Sequence, residues 1–230
     1  MLKYFKLFYH LFYRPKIFLP QKNYSILEED KFIIDYFKDK PKGFYIDVGC
    51  YHPLVGNNTQ LLYKKGWSGL NFDINDYSIE LFNFLRTRDL NIHSGISTKK
   101  NKLTMYYRKE INMLNTLNKK IAKIHFLNGY KKKKVSVNTL DYFISKNFKK
   151  LKNIDFLNID VEGFELEVLR SLNFEKYKPQ LICVEIHNNN KMYDKKYEYL
   201  KSNNIYNFVI KKGYKIKWKN KYSFIFERKK

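Results

Sequence analysis

Two short apolar segments, each ending in an acidic residue and a glycine, constrain most strongly what this chain can fold into. They are Phe44-Tyr-Ile-Asp-Val-Gly-Cys50 and Ile154-Asp-Phe-Leu-Asn-Ile-Asp-Val-Glu-Gly163. Segments of this length suit strands that are buried on both faces of a parallel sheet. An acid at the carboxyl end of such a strand lies at the sheet edge where α/β enzymes bind ligands. The pair therefore predicts one ligand site built from two strand ends, with Asp47 and Asp160 in it, although Asp and Gly also favour ordinary turns.

The rest of the chain alternates between strand and helix patterns. Strands are expected over 44–50, 69–74, 91–96, 154–161 and 181–187, with helical spacing between them. A helix is expected near 194–202, and the end, 205–228, alternates apolar and lysine residues as a half-buried strand does. This order predicts an α/β fold with a mostly parallel sheet and an antiparallel end. We divide the chain into an N-terminal arm and helix, 1–40, and one domain, 41–230.

A lysine-rich segment interrupts this alternation. Residues 103–107 and 135–137 have the pattern of two short extra strands. The polar residues between them, 108–134, include the run Lys131-Lys-Lys-Lys134. We expect this segment to be a mobile or substrate-covering insertion.

The spacing of the acids indicates a nucleoside-containing cofactor. Nucleotide-binding folds place a glycine turn after the first strand and an acid about 20 residues later, where it binds ribose hydroxyls. Gly49 and Asp73 fit these positions, but the pattern G-x-G-x-x-G that cradles a pyrophosphate is absent. A cofactor with a ribose and no phosphate does not need that loop. The pattern therefore favours S-adenosylmethionine over a nicotinamide cofactor.

Several of these stretches resemble the FkbM-type family of S-adenosylmethionine-dependent methyltransferases. The resemblance rests on 44–49, 56–59, 72–75, 139–141 and 159–169, whose order and spacing match across roughly 41–228. The block Asp160-Val-Glu-Gly163 with its amphipathic helix is the most specific part, and Asn158 stands where many relatives carry Lys. The resemblance implies a Rossmann-like class I methyltransferase sheet of strand order 3-2-1-4-5-7-6. The first and fourth strands are then neighbours.

The resemblance also implies roles for individual residues in binding the cofactor. The methionine end would be held by the first strand end, the ribose by the acid after the second strand, and the adenine by residues after the second and third strands. In this sequence the corresponding residues are Asp47, Gly49, Asp73, Ile74, Gly95 and Ile96. Asp160, at the fourth strand, is placed to contact the cofactor as well.

The acceptor of the methyl group is expected to be a hydroxyl, which is a poor nucleophile and is helped by a nearby base. The candidate catalytic residues are Asp160, Glu162 and His187, with Glu185 beside them. His187 titrates near neutrality and is the first choice, although a strand-terminal histidine bonded to the backbone is an equal alternative. The same side chains could hold a divalent cation, but we assign no metal ligand.

The sequence is therefore interpreted as an S-adenosylmethionine-dependent O-methyltransferase acting on a saccharide or glycan precursor. The substrate class follows from the resemblance alone. The alternatives are an N-methyltransferase, an inactive paralogue of the same fold, or a basic nucleic-acid-binding module.

The net charge of +23, from 45 basic and 22 acidic residues, is interpreted mainly as lysine-rich surface. Arginine, which favours bidentate phosphate and guanine contacts, is scarce, and no nucleic-acid-binding motif is present. We therefore expect no specific nucleic-acid partner.

The aromatic start of the chain has two interpretations. No segment has the ~18 consecutive apolar residues needed to cross a bilayer. Residues 1–20 could form an interfacial helix on the inner face of a membrane, or an arm packed on the domain or on a partner subunit. Because the arm precedes the first strand, deleting it is expected to leave cofactor binding intact. Cys50 and Cys183 make no disulfide framework and are expected to be reduced thiols in a cytoplasmic protein.

Overall fold

In the computed structural model, which describes residues 5, 7–13, 23–109, 111–187 and 198–229, the strands form two sheets. In chain order, the strands are β1 (Phe44–Val48), β2 (Ser68–Asp73), β3 (Leu90–His93), β4 (Gly95–Ile96), β5 (Asn101–Tyr107), β6 (Lys131–Asn138), β7 (Phe156–Ile159), β8 (Leu181–Glu185), β9 (Tyr214–Lys219) and β10 (Ser223–Arg228). The larger sheet has the order β3-β2-β1-β7-β8-β10-β9. Its first five strands are parallel, and β10 runs antiparallel between β8 and β9. The predicted fold class, including the antiparallel last strand, is confirmed.

Helices cover both faces of this sheet because alternate residues of each strand point to opposite sides. The α-helices are α1 (Glu29–Tyr36), α2 (Gln60–Lys64), α3 (Asp76–Leu85), α4 (Lys119–His125), α5 (Leu140–Asn147), α6 (Glu165–Arg170), α7 (Phe174–Tyr177) and α8 (Asn204–Lys211). On one face, Ile46 and Val48 of β1 pack in the cluster that contains residues of α5, α6, α7 and α8. On the other face, Tyr45 packs with Ile33 of α1 and Leu62 of α2. Helix α1 therefore shares the core of the sheet.

The predicted third strand, 91–96, is divided between the two sheets. β3 pairs with β2 in the larger sheet, whereas β4 pairs with β6 in a three-stranded sheet of order β4-β6-β5. Ser94 lies at the division, where its N–H donates to the Asp73 carbonyl and its hydroxyl to the Ser136 carbonyl. These two bonds tie the small sheet to the carboxyl end of β2.

Two other expectations about secondary structure need correction. The lysines at 131–134 are exposed but belong to β6, since their backbones pair with Thr104–Tyr107 of β5. Residues 204–211, expected as part of a strand-like tail, form α8, because the Asn203 side chain caps the helix by accepting from Ile205 N and Tyr206 N. Of the helix expected at 194–202, residues 194–197 lie outside the described residues, and Glu198–Ser202 is a 3₁₀ helix.

The described part of the N-terminal arm packs on the domain. A π-helical turn, Tyr9–Tyr13, follows Leu7, and the buried Leu7 and Leu11 lie in a cluster with Tyr77, Leu81 and Ile111. Phe5 and Phe8 of the arm are exposed. Among helices in the described ranges, none combines the length and apolar character that crossing a membrane requires.

Candidate active site

A partly open cavity lies at the carboxyl ends of the central parallel strands. It is lined by Val48, Gly49, Tyr51, Phe72, Asp73, Ile74, Ser94, Gly95, Ile96, Asn112, Met113, Asn115, Leu117, Asp160, Val161 and Phe164. This is the edge of an α/β sheet where ligands bind. Six of the seven residues that we expected to bind the cofactor lie in this lining, and Asp47 is the exception.

Gly49 allows the ends of β1 and β7 to approach closely. Its φ is +82°, a conformation that favours glycine, and an added Cβ would overlap the carbonyl oxygen of Asp160. The N–H of Gly49 donates to the Phe72 carbonyl at 2.9 Å. A side chain at position 49 would therefore both strain the turn and displace the backbone of the neighbouring strand.

Asp73 is held rigidly at the end of β2. Its Oδ2 accepts from Tyr51 N and its Oδ1 from Asn75 N, each at 2.8 Å, and the residue is 8% exposed. Burial raises the pKa of this carboxyl to about 6, although the backbone donors oppose the shift. Asp73 lines the cavity and keeps acceptor capacity, because an ionised carboxylate accepts about four hydrogen bonds.

Asp47 lies behind the cavity, in a buried polar network on the opposite side of β1. It is 1% exposed, its Oδ1 accepts from Asn158 Nδ2 at 2.8 Å, and its Oδ2 accepts from Thr59 Oγ1 at 3.0 Å. The register places Asp47 between Asn71 of β2 and Asn158 of β7. Because Asp47 is the fourth residue of a five-residue strand, its side chain shares the face of Tyr45 and turns away from the cavity. The carboxylate of Asp47 therefore does not line the cavity, although the sequence predicted that it would lie in the ligand site.

Arg86 extends this network and supplies its positive charge. The fully buried guanidinium donates to Asn57 Oδ1 at 2.8 Å and to Tyr45 Oη at 3.0 Å, and it lies 3.6 Å from the carboxylate of Asp89. A buried carboxylate is costly without such partners. The network fixes the loop between β1 and α2 against the sheet.

The turn after β7 is anchored from two sides. Glu162 and Gly163 both have positive φ, and the side chain of Glu165 accepts from Gly163 N at 2.9 Å. From the insertion, Thr116 Oγ1 donates to the Glu162 carbonyl at 2.7 Å, and Asn118 Nδ2 donates to the Gly163 carbonyl at 3.1 Å. These bonds determine where the Glu162 side chain points.

Three of the titratable side chains at this edge converge. The carboxylates of Glu162 and Glu185 and the imidazole of His187 offer atoms that all lie within 4.8 Å of one another. His187 Nε2 is 3.1 Å from Glu185 Oε2, and its side chain is 44% exposed. Asp160, next to Val161 in the turn, lines the cavity and is exposed there. The candidate catalytic residues are thus placed at one edge of the sheet, beside the cavity.

The electrostatics of this cluster are dominated by crowded carboxylates. Burial, followed by the charge of Glu185, raises the pKa of Glu162 to about 8. Desolvation of the carboxyl by the surrounding protein raises the pKa of Asp160. The charges of the neighbouring carboxylates, Glu185 first among them, raise it further. The nearby carboxylate of Glu185 raises the pKa of His187. The groups of the cluster therefore provide too little positive charge to keep these carboxylates ionised together.

Two sets of residues at the site were not identified from the sequence. The insertion at 108–134 was expected to be mobile or to cover the substrate, but the residues by which it lines the cavity, 112, 113, 115 and 117, were not named. The available signal was the uncharged run Ile111–Asn118 between Glu110 and Lys119 in a lysine-rich segment. His125 of α4, whose Nε2 lies 3.7 Å from Glu162 Oε2, carried no signal beyond being the one histidine of that segment.

The comparisons with known proteins identify the domain. The family model described as the methyltransferase FkbM domain matches residues 47–216, more than half of the chain. No curated protein matches the chain.

Two solved structures have limited similarity. A TehB-like SAM-dependent methyltransferase from Corynebacterium glutamicum is 11% identical, with 89% of each chain covered and a TM-score of 0.39. A putative rRNA-methylase from Clostridium thermocellum is 14% identical, with 91% of this chain and 100% of that chain covered and a TM-score of 0.42. Similarities at these TM-scores carry no inference about substrate.

Proposed function

The chain belongs to the FkbM methyltransferase family and is an S-adenosylmethionine-dependent methyltransferase, and on that premise we propose that it methylates a hydroxyl group of a saccharide or glycan precursor. One observation carries the proposal: carboxylates and an imidazole converge at the carboxyl ends of β7 and β8, beside the cavity. Groups of this kind are what removal of a hydroxyl proton requires. A methyl acceptor that is already a good nucleophile would need none of them.

The residues around the cavity fit the cofactor. Gly49 lines the cavity and lets the end of β1 approach the backbone of Asp160, and Asp73 offers a fixed carboxylate for ribose hydroxyls. Ile74 and Ile96 provide apolar walls for the adenine, and Gly95 adds no side chain between them. When bound, S-adenosylmethionine supplies a methyl group on a sulfonium. The protein's part is to hold donor and acceptor in line and to exclude water.

The acceptor proton leaves toward the cluster at β7 and β8. Asp160 is the carboxylate in the cavity lining, and Glu162 and His187 follow at its edge. His187 is held against Glu185, which orients its ring. These groups are the proposed catalytic residues, with His187 as the first candidate for the base. Asp160 also contacts the cofactor in this proposal.

The class of acceptor is supported by polarity. The lining contributed by the insertion includes Asn112 and Asn115, whose amides can bind hydroxyl groups. A saccharide presents several hydroxyls in fixed geometry and suits such donors and acceptors. The family supplies the remaining support for this class.

The test is methyl transfer from S-adenosyl-[methyl-¹³C]methionine to a panel of mono- and oligosaccharides and nucleotide sugars, with amines and RNA as comparison acceptors. A new O-methyl resonance on a sugar carbon supports the proposal. Transfer only to nitrogen, or only to RNA, would refute it. Glu167→Gln, on α6 and away from the cavity lining, is the matched control and should leave turnover unchanged.

We further propose a cytoplasmic protein with weak contact to an anionic membrane through residues 1–20. Phe5 is 70% and Phe8 55% exposed on the arm, as side chains of an interfacial segment would be. The buried free thiols of Cys50 and Cys183 suit a reducing compartment. Sedimentation with anionic vesicles should fall when Phe5 and Phe8 are both replaced by Ser. Equal sedimentation of this variant would contradict the membrane contact.

A further inference from the structure

The cluster of Glu162, Glu185 and His187 has the composition of a cation site. Two carboxylates and one imidazole come from the turn after β7 and from the end of β8, two segments brought together by strand pairing. Their ligand atoms lie within 4.8 Å of one another. Two ligands on opposite sides of a cation, with bonds of about 2.1 Å, are about 4.2 Å apart. A small closure of the side chains would therefore complete the coordination.

Two carboxylates of the cluster lack adequate hydrogen-bond donors. Glu162 is 8% exposed, and its carboxylate accepts no hydrogen bond from the residues that the structure describes; His125 approaches it only to 3.7 Å. Glu185 Oε2 is buried and, although it lies 3.1 Å from His187, receives no well-directed hydrogen bond. Buried polar atoms are normally satisfied, and exceptions call for an unplaced ligand or a functional role.

We propose that Glu162, Glu185 and His187 bind a divalent first-row transition cation. Carboxylate oxygens alone suit Mg²⁺ and Ca²⁺, whereas the imidazole shifts the preference toward Mn²⁺ or a later metal. The cation supplies the positive charge that the crowded carboxylates lack. The cationic side chain of His187 is the competing solution, since a protonated imidazole also neutralises Glu185.

The catalytic role of this cation rests on the proposed function, whereas its binding does not. A hydroxyl oxygen of the acceptor binds the cation, which weakens the O–H bond. The proton passes to the carboxylate of Asp160. A bond then forms between this oxygen and the methyl carbon as the carbon–sulfur bond breaks, and the sulfonium becomes the neutral thioether of S-adenosylhomocysteine. His187 in this arrangement is a ligand rather than the base.

The test uses Mn²⁺ as the probe and the full-length protein treated with chelator. Mn²⁺ binding is measured by titration calorimetry and by loss of the electron paramagnetic resonance signal of the free ion. We expect one site in the wild type. Glu185→Gln and His187→Ala should each weaken it by on the order of 100-fold, since even outer partners of metal ligands contribute roughly 10–100-fold. Glu167→Gln is the control and should bind as the wild type does.

The outcomes separate this proposal from the proposed function. Absence of Mn²⁺ binding in the wild type, or equal binding in both folded ligand variants and the control, overturns the cation site. Circular dichroism establishes that each variant is folded, and two independent variants protect the test against the failure of one. Saccharide methylation that persists in EDTA refutes the catalytic role of the cation and leaves the proposed function standing. Specific Mn²⁺ binding without methylation of any hydroxyl supports the site and refutes the function.

Discussion

Replacing Asp73 tests both the cofactor site and the way the fold builds it. The carboxylate accepts from Tyr51 N and Asn75 N, so it has a structural role as well as the expected contact with ribose. Removing a charge-assisted hydrogen bond to the ribose costs about 1–3 kcal/mol. Since 1.4 kcal/mol is tenfold in affinity, Asp73→Ala should weaken cofactor binding roughly 5–150-fold.

The same substitution should lower stability, because it leaves two backbone donors in a buried site. An unsatisfied buried donor costs about 1–3 kcal/mol. Asp73→Asn keeps one acceptor oxygen and should therefore lose less stability than Asp73→Ala. Comparing the two variants separates the loss of charge from the loss of the backbone bonds.

The measurements are titration calorimetry with S-adenosylhomocysteine and chemical denaturation of the free protein. Asp76→Asn is the matched control, since Asp76 lies three residues away, outside the cavity lining, in an exposed ion pair with Lys133. This replacement should change cofactor affinity little. It should also change stability little, because exposed ion pairs contribute about 0–1 kcal/mol to the free energy of unfolding. Unchanged affinity in a folded Asp73→Ala protein would show that the ribose is held elsewhere.

Further predictions concern catalysis, the arm, pH and charge. His187→Ala or Glu162→Gln should lower single-turnover methylation roughly 10²–10⁴-fold with little change in cofactor affinity; normal rates in both would mean that alignment alone drives the reaction. Deleting residues 1–20 should weaken cofactor binding, because Leu7 and Leu11 pack in the cluster that contacts the cavity residue Tyr51. The sequence alone led to the opposite expectation, and unchanged affinity by calorimetry would contradict the new one. A carboxyl with a raised folded pKa contributes stability that is complete below its unfolded pKa and is lost as pH rises through the folded value. For Asp73, with a pKa of about 6 against 3.8, this contribution to the free energy of unfolding is lost between about pH 4 and pH 6. The wild type should therefore lose up to about 3 kcal/mol more than Asp73→Asn over that range, and parallel curves would refute it. Nucleic acids should bind weakly and without sequence preference at physiological salt; a specific sub-micromolar complex would overturn our interpretation of the charge.

Much of the active-site edge could be predicted because it depends on short-range patterns. The apolar segments before Gly49 and Asp160 are too short for helices and too uniformly apolar for an exposed strand, so they had to be central strands. Helical crossovers make such strands parallel, and parallel strands have their carboxyl ends at the same edge of the sheet. The acids and glycines that follow those strands were thereby located without any knowledge of side-chain packing.

The placement of Asp47 shows what those patterns leave open. From the sequence, Asp47 and Asp160 cannot be distinguished, because each is an acid near the end of a predicted strand. The structure separates them by a difference of position within the strand: Asp160 follows the last residue of β7, whereas Asp47 is within β1. A residue within a strand points to one face of the sheet, and here that face supplies Asn158 and Thr59 as partners.

Most strands and helices, and the acids and glycines at the strand ends, could be located from the sequence, because periodicity over a few residues encodes them. The family was indicated by the resemblance of motifs such as Asp160-Val-Glu-Gly163 to those of known members. Other features became visible only in the three-dimensional structure: residues 112, 113, 115 and 117 line the cavity, the arm packs in the cluster that contacts Tyr51, and Glu162 and Glu185 converge with few hydrogen-bond donors. Each of these depends on contacts between segments far apart in the chain, and such contacts are set by the packing of the whole domain rather than by the pattern of any one segment.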